Sequence, residues 1–278
     1  MSESVASPAA TSRVEELFAR AKAEKRIALL PFVTIGYPTL AQSREWVKAL
    51  VEAGADGLEL GVPFSDPLAD GATVQRTSQI ALEQGVTLAD AIEFVRQLRI
   101  EDGIEVPLVL MGYTNPFYQY GLERLATDAK AVGIDGFIVP DLPVEEAEEW
   151  TSALRPAGLD LIFMVAPTST EKRLKDVSAV ASGFIYCVSL VGVTGAREAL
   201  ADDLAAYIDR VRGATDVPLV IGFGISTPQH VAEVAGIVDG AIVASALINY
   251  LDTLPESEQA AGAIAFTRDL KAATGKPA

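Results

Sequence analysis

The feature that most constrains this chain is a rhythm repeated along its length, in which short apolar runs rich in β-branched residues alternate with longer stretches of helical period. The runs are Ile27–Thr34, Gly57–Gly61, Pro107–Met111, Gly136–Val139, Asp160–Val165, Phe184–Val188, Pro218–Gly222 and Gly240–Val243. Between them lie amphipathic stretches such as Gln42–Ala53, Leu122–Val132, Val144–Leu154, Glu171–Ala181 and Leu204–Val211. A connection of that length returns a strand parallel to its predecessor, which a tight hairpin cannot do. Eight β-then-α units of this kind predict a closed parallel barrel in preference to an open doubly wound sheet.

The gap from Gly61 to Pro107 holds two helical patterns, Thr73–Glu83 and Leu88–Arg99, and a further helix is expected over Ser257–Ala273 after the last barrel helix. At the other end, Ser12 and Glu15 have the spacing of a capping box, ahead of a helix with Val14, Leu17 and Phe18 on one face. Residues 1–11 read as a loose, disordered tail and residues 12–278 as one domain. At about 150 residues per domain the length suggests two, but barrels of alternating strands and helices routinely reach it as one. The expected fold is therefore α/β, a single (β/α)8 TIM barrel with extra helices at the N-terminus and after strand 2.

Composition narrows the partners. With 22 Lys and Arg against 38 Asp and Glu, the net charge of −16 argues against nucleic-acid binding driven by charge, and 50% apolar residues argue against disorder. Cys187 is the single cysteine, so no internal disulfide can form. The N-terminal stretch lacks the apolar core of a secretory signal, and no apolar run reaches the roughly 18 residues of a membrane span. A cytoplasmic protein without membrane contact is the expectation.

In such barrels chemistry sits where strands end and the following loops begin. The richest of these places is the segment from Gly57 to Gly71. Side chains alternate along a strand, and Leu58 and Leu60 belong to the apolar layer under the helices, so Glu59 turns inward. A carboxylate inside a barrel is costly unless paired or used, and burial raises its proton affinity toward that of a general acid or base. A structural glutamate bonded to neighbouring strands is the alternative. Asp66 and Asp70 follow, and either suits a turn or a helix N-cap as well as a functional role. Three acids so close could also suggest magnesium, but no second cluster supports a metal site.

What the chain lacks is as informative. Its only histidine, His230, falls in the first turn of an expected surface helix, which speaks against imidazole catalysis and a multi-histidine metal site. Every lysine falls in a helical stretch or a tail, leaving none to aim into the barrel as a Schiff base, and Cys187 lies in an apolar strand and reads as core. Proton-transfer or carbon–carbon chemistry must then run on carboxylates. Glycine-bearing segments follow the last strands, Ile221–Pro228 and Gly240–Ser245, where barrels frequently bind phosphate; tight turns alone would also explain them. From Gly213 through Thr267 there is no Lys or Arg, so a phosphate there would be held by neutral amides and hydroxyls. Replacing His230 or any lysine by alanine is then expected to change substrate affinity less than about threefold. The segment Ser189–Arg197, with its glycines and Thr194, suits a mobile lid or an ordinary connection.

The motifs LELGVPFSDPLADG, LIFMVAPTST, SLVGVTGAR and GFGIS, in this order, closely resemble those of the tryptophan synthase alpha chain family, from about Pro31 to Ser245. The resemblance implies a phosphate-binding TIM barrel that cleaves indole-3-glycerol phosphate to indole and glyceraldehyde 3-phosphate by a retro-aldol reaction. By the same likeness Glu59 matches the catalytic acid/base and Asp70 the aspartate that holds the indole N–H. Phe32 matches an aromatic beside the indole, and Tyr186 and Thr194 match positions that touch substrate and order the lid. Gly195, Gly224, Ala244 and Ser245 match the phosphate-binding amides, and Gly222 and Phe223 join them as substrate contacts. The chain departs from the family in Ala72, commonly proline, and in Ala244, commonly glycine; an alanine keeps the amide contact if its φ stays negative.

The resemblance further implies a beta-chain partner in an α2β2 tetramer, with pyridoxal phosphate in the beta chain only, no cofactor or metal in this chain, and indole passing through a tunnel. The loops after Glu59 and around Asp141–Pro143 match the partner-facing surface. A free-standing lyase and a catalytically idle regulatory subunit are the alternatives.

Overall fold

The computed structural model describes residues 12–188, 197–222 and 224–277, side chains of 197–202 excepted. The tail expected over residues 1–11 lies outside them. The strands are β1 Ala28–Thr34, β2 Leu58–Gly61, β3 Leu108–Met111, β4 Gly136–Ile138, β5 Asp160–Val165, β6 Ile185–Val188, β7 Leu219–Gly222 and β8 Gly240–Val243. They pair in parallel in sequence order and close, β8 on β1, as the expected barrel. Around it run α1 Arg13–Ala23, α2 Leu40–Glu52, α3 Ala72–Glu83, α4 Leu88–Ile100, α5 Thr114–Tyr120 and α6 Leu122–Val132. The ring continues with α7 Ala147–Leu154, α8 Glu171–Val180, α9 Arg197–Arg212, α10 Pro228–Val234, α11 Ser245–Asp252 and α12 Glu256–Ala272.

The expected strands hold to within a residue at their ends. The helix read over Val144–Leu154 is instead a 3-10 turn, Val144–Glu146, leading into α7; the short helix α5 was not expected, and α10 is the helix expected to hold His230 in its first turn. Among the described residues no helix is long and apolar enough to cross a membrane.

The floor of the barrel is sealed. Ser12 and Glu15 form the capping box, each side chain meeting the other's backbone N–H at 3.1 Å, and α1 lays Leu17 and Phe18 against the strand starts. Phe18 meets Phe184 edge-on at 5.9 Å. An Asp-Gly pair recurs at the foot of β2, β4 and β8, as Asp56-Gly57, Asp135-Gly136 and Asp239-Gly240. Each aspartate accepts a backbone N–H from the neighbouring strand, from Leu29 at 2.9 Å, Leu108 at 2.8 Å and Leu219 at 2.9 Å. Each is also paired with an arginine: Arg26, Arg99 and Arg212. Glycine follows because the strands crowd there; a Cβ at Gly136 would lie 2.7 Å from the Asp160 carbonyl oxygen. With the floor closed by α1 and these charge pairs, ligand access is left to the C-terminal end.

Candidate active site

Alternation places Glu59 as expected: Leu58 and Leu60 are wholly buried outside the sheet, and Glu59, 3% exposed, lines a cavity inside the C-terminal mouth. The register sets Glu59 between Phe32 of β1 and Val109 of β3. One carboxylate oxygen, Oε2, is buried with no hydrogen-bond partner. An unpaired buried oxygen favours the neutral acid. Burial pushes the Glu59 carboxyl up to about 8, the negative charge of Asp70 adding to the rise.

Asp70 reaches the same cavity from the loop after β2. It is not a helix cap, because Gly71 occupies the N-cap of α3 and no side chain caps that helix. The loop is pinned instead by Ser78, whose hydroxyl accepts the Phe64 N–H at 2.9 Å, and by Gln75, which donates to the Asp70 carbonyl at 2.9 Å. Tyr113, just past β3 and stacked on Phe64 at 5.0 Å, accepts the Ala69 N–H at 3.0 Å and bonds the Asp70 carboxylate. Burial pushes Asp70 up to about 6, and the Tyr113 bond opposes that rise. At neutral pH Glu59 is therefore mostly protonated and Asp70 mostly ionised, the split of roles that an acid paired with an electrostatic stabiliser requires.

Asp66 stays out of the cavity, exposed and accepting the Ser65 hydroxyl at 2.5 Å, a turn residue as its sequence context allowed. Among the described residues no group of three or more His, Cys, Asp or Glu side chains could hold a metal ion. Cys187 is buried core, its thiol pushed up to about 12 by burial.

The cavity, about 330 Å³, is walled by apolar side chains from several strands, including Phe32, Met111, Ile138, Met164 and Ile242. Tyr186 of β6 lines it too, 6% exposed, its hydroxyl held well above the usual phenol range by burial and then by Glu59 and Asp70. The aromatic walls depend on glycines. A Cβ at Gly61 would meet the Phe32 ring at 2.5 Å, and one at Gly222 would overlap the Tyr186 hydroxyl. Gly222, expected as a substrate contact, is not among the lining residues; it makes room for Tyr186.

Gly224, Ala244 and Ser245 line the same cavity. Gly224 sits at φ +82°, a conformation that favours glycine, whereas Ala244 has φ −115° and so tolerates its methyl group. Ser245 opens α11, so its N–H belongs to the unsatisfied first turn. Expected positions Thr194, Gly195 and Phe223, with the lid up to residue 196, lie outside the described residues. α3 and α11, whose first turns both line the cavity, are tied to each other. Arg76 donates to the Tyr37 hydroxyl at 2.7 Å and pairs with Asp252, and Tyr37 donates to Asp252 at 2.8 Å. His230 sits in the first turn of α10 as expected, and it also lines the cavity beside Gly224 and Ser226. Position in the first turn of a helix says nothing about which way a side chain leans. Tyr113 was missed because it lies beyond the strand, with no periodicity to mark it.

A family model described as tryptophan synthase alpha chain matches residues 18–274. The tryptophan synthase alpha chain of Chloroflexus aggregans is 54% identical over 263 residues, 95% of this chain and 98% of that one. The chain belongs to the tryptophan synthase alpha chain family. Another member, from Roseiflexus sp. strain RS-1, is 54% identical over 260 residues, covering 94% of this chain and 99% of its own length. Among solved structures, tryptophan synthase subunit alpha from Legionella pneumophila superposes with a TM-score of 0.88 at 35% identity, over 95% of this chain and 99% of that one. Tryptophan synthase from M. tuberculosis, in its aminoacrylate-bound form, superposes with a TM-score of 0.84 at 34% identity, over 95% of this chain and 100% of that one.

Proposed function

We propose that this chain is the lyase subunit that cleaves indole-3-glycerol phosphate to indole and glyceraldehyde 3-phosphate, in the last steps of tryptophan biosynthesis. The observation that carries the reading is the pair of carboxyl groups in one apolar-walled cavity, Glu59 pushed up to about 8 and Asp70 to about 6. Retro-aldol cleavage needs somewhere for the bonding electrons to go, and the indole itself supplies it. Protonated Glu59 delivers its proton to indole C3, and the ring nitrogen becomes an iminium faced by the Asp70 carboxylate. The Glu59 carboxylate so formed takes the proton of the adjacent glycerol hydroxyl; the carbon–carbon bond breaks, its electrons restore the indole, and the hydroxyl carbon becomes the aldehyde. Glu59 ends with the proton it began with.

Phe32 and Tyr186 bracket the heterocycle, and the amides of Gly224, Ala244 and Ser245 take the phosphate, with Thr194, Gly195 and Phe223 assigned to the same substrate by resemblance. No step calls on a cofactor of this chain; pyridoxal phosphate belongs to a beta-chain partner in an α2β2 assembly. The loop after β2, where Leu68 is 93% exposed, suits that partner. So does the Asp141 loop, which is bound to the start of α5 through Thr114 at 2.7 and 2.9 Å. The cytoplasm is the setting, in keeping with a single buried thiol.

The test is indole release from indole-3-glycerol phosphate with the beta chain present. Glu59→Gln should lose about 10²-fold or more. A variant as fast as the wild type removes Glu59 from the mechanism, and no release by the wild type favours an idle regulatory subunit.

A further inference from the structure

The phosphate end of the cavity poses an electrostatic problem. The chain carries a net charge of −16, and the cavity already holds Glu59 and Asp70. Among the described residues lining it there is neither lysine nor arginine. A dianion entering such a site gains from amides and hydroxyls but meets no fixed positive charge among the described lining residues. Among the described lining side chains one is able to carry such a charge, and it is the only histidine of the chain.

The surroundings of His230 determine how it can act. Nδ1 lies 3.1 Å from the Gly224 carbonyl oxygen and 3.1 Å from the Ser226 hydroxyl. A carbonyl oxygen only accepts, so Nδ1 carries the hydrogen in that bond. Nε2 is then the edge left for a ligand, and with Nδ1 already protonated it can donate only when the ring is a cation. The backbone fixes the arrangement further. The His230 N–H bonds the Thr227 hydroxyl at 3.2 Å, and Gly224, at φ +82°, brings its carbonyl round to the ring. The loop that offers amides to an anion thus also orients a group that can meet the anion only as an imidazolium.

We propose that His230 is a phosphate-binding residue of this site, donating from Nε2 as a cation to the phosphate of the substrate while its Nδ1–H holds the Gly224 loop. The inference rests on the proposed substrate and runs against the expectation that His230 is dispensable for affinity. It makes the residue specific for phosphate-bearing ligands rather than for the indole end.

The experiment measures equilibrium binding of glycerol 3-phosphate and, separately, of indole to the wild type, His230→Gln and His230→Ala, with steady-state kinetics on indole-3-glycerol phosphate alongside. Glutamine can keep a bond to the Gly224 carbonyl but cannot become a cation. Both variants should bind glycerol 3-phosphate about tenfold or more weakly, as expected for loss of a charge-assisted bond. Their affinity for indole should stay within about twofold, and the kinetic loss should fall on KM more than on kcat. Wild-type affinity for glycerol 3-phosphate in His230→Gln overturns the proposal, as does an equal loss for indole, which would mean that the loop had collapsed. Wild type that binds glycerol 3-phosphate through His230 yet releases no indole defeats the proposed reaction and leaves this inference standing.

Discussion

The hydroxyl of Tyr113 joins the Asp70 carboxylate to the backbone of its own loop, accepting the Ala69 N–H at 3.0 Å while bonding the acid and opposing its rise in proton affinity. Tyr113→Phe should therefore move Asp70 to a higher pKa. The acid limb of the kcat/KM profile then shifts to higher pH, the alkaline limb changes less, and the rate at neutral pH falls about tenfold, the worth of one such hydrogen bond. An acid limb that stays in place would show that Tyr113 only packs.

Glu59 costs the fold stability as pH rises, because the unfolded chain ionises it before the native state does. Its folded value of about 8 lies above the ordinary 4.5, so the native state holds a proton that the unfolded chain releases. Stability contributed by the neutral form is full below the unfolded value and is lost as pH rises toward about 8. Glu59→Gln, which cannot ionise, should be more stable than wild type at neutral pH by on the order of 3 kcal/mol, with the advantage vanishing in acid. Urea titrations across this pH range check it; a constant difference between the two proteins contradicts the assignment.

Gly222 illustrates how much of the site was legible in the sequence and why the rest was not. Its role depends on the length of Tyr186 on the adjoining strand β6, where the register pairs Val188 with Gly222, a relation no local pattern contains. By contrast, the strands were legible from their apolar runs, the inward turn of Glu59 from the leucines flanking it, and the start of α1 from its capping box. Helix α5 was not, because Pro116 and a run of aromatics obscure its period. The repeated Asp-Gly pairs were there to be read, but their meaning as strand feet needed the closed barrel. For Gly222→Ala we expect Tyr186 to be displaced from the cavity wall, with lost activity and about 1–3 kcal/mol lost stability. Adding Tyr186→Leu should restore much of the stability but not the activity; no recovery would place the strain elsewhere.

Asp135 should prove among the least replaceable floor residues. It accepts the Leu108 N–H and meets Arg99 at 2.6 Å and Arg13 at 2.9 Å, and the Arg99 side chain is only 8% exposed. Removing the carboxylate strands a buried guanidinium, so Asp135→Ala should cost about 3–5 kcal/mol in urea unfolding. A loss below about 1 kcal/mol would mean that Arg99 finds water or another acceptor.

The division of labour between the two acids can be observed without turnover, by NMR titration of the labelled side-chain carboxyls of Glu59 and Asp70 in the wild-type chain. Glu59 should take up its proton near about 8 and Asp70 near about 6, leaving one acid and one carboxylate in the cavity at neutral pH. A Glu59 that titrates in the ordinary carboxylate range, fully ionised at neutral pH, would contradict its role as the proton donor to the indole ring.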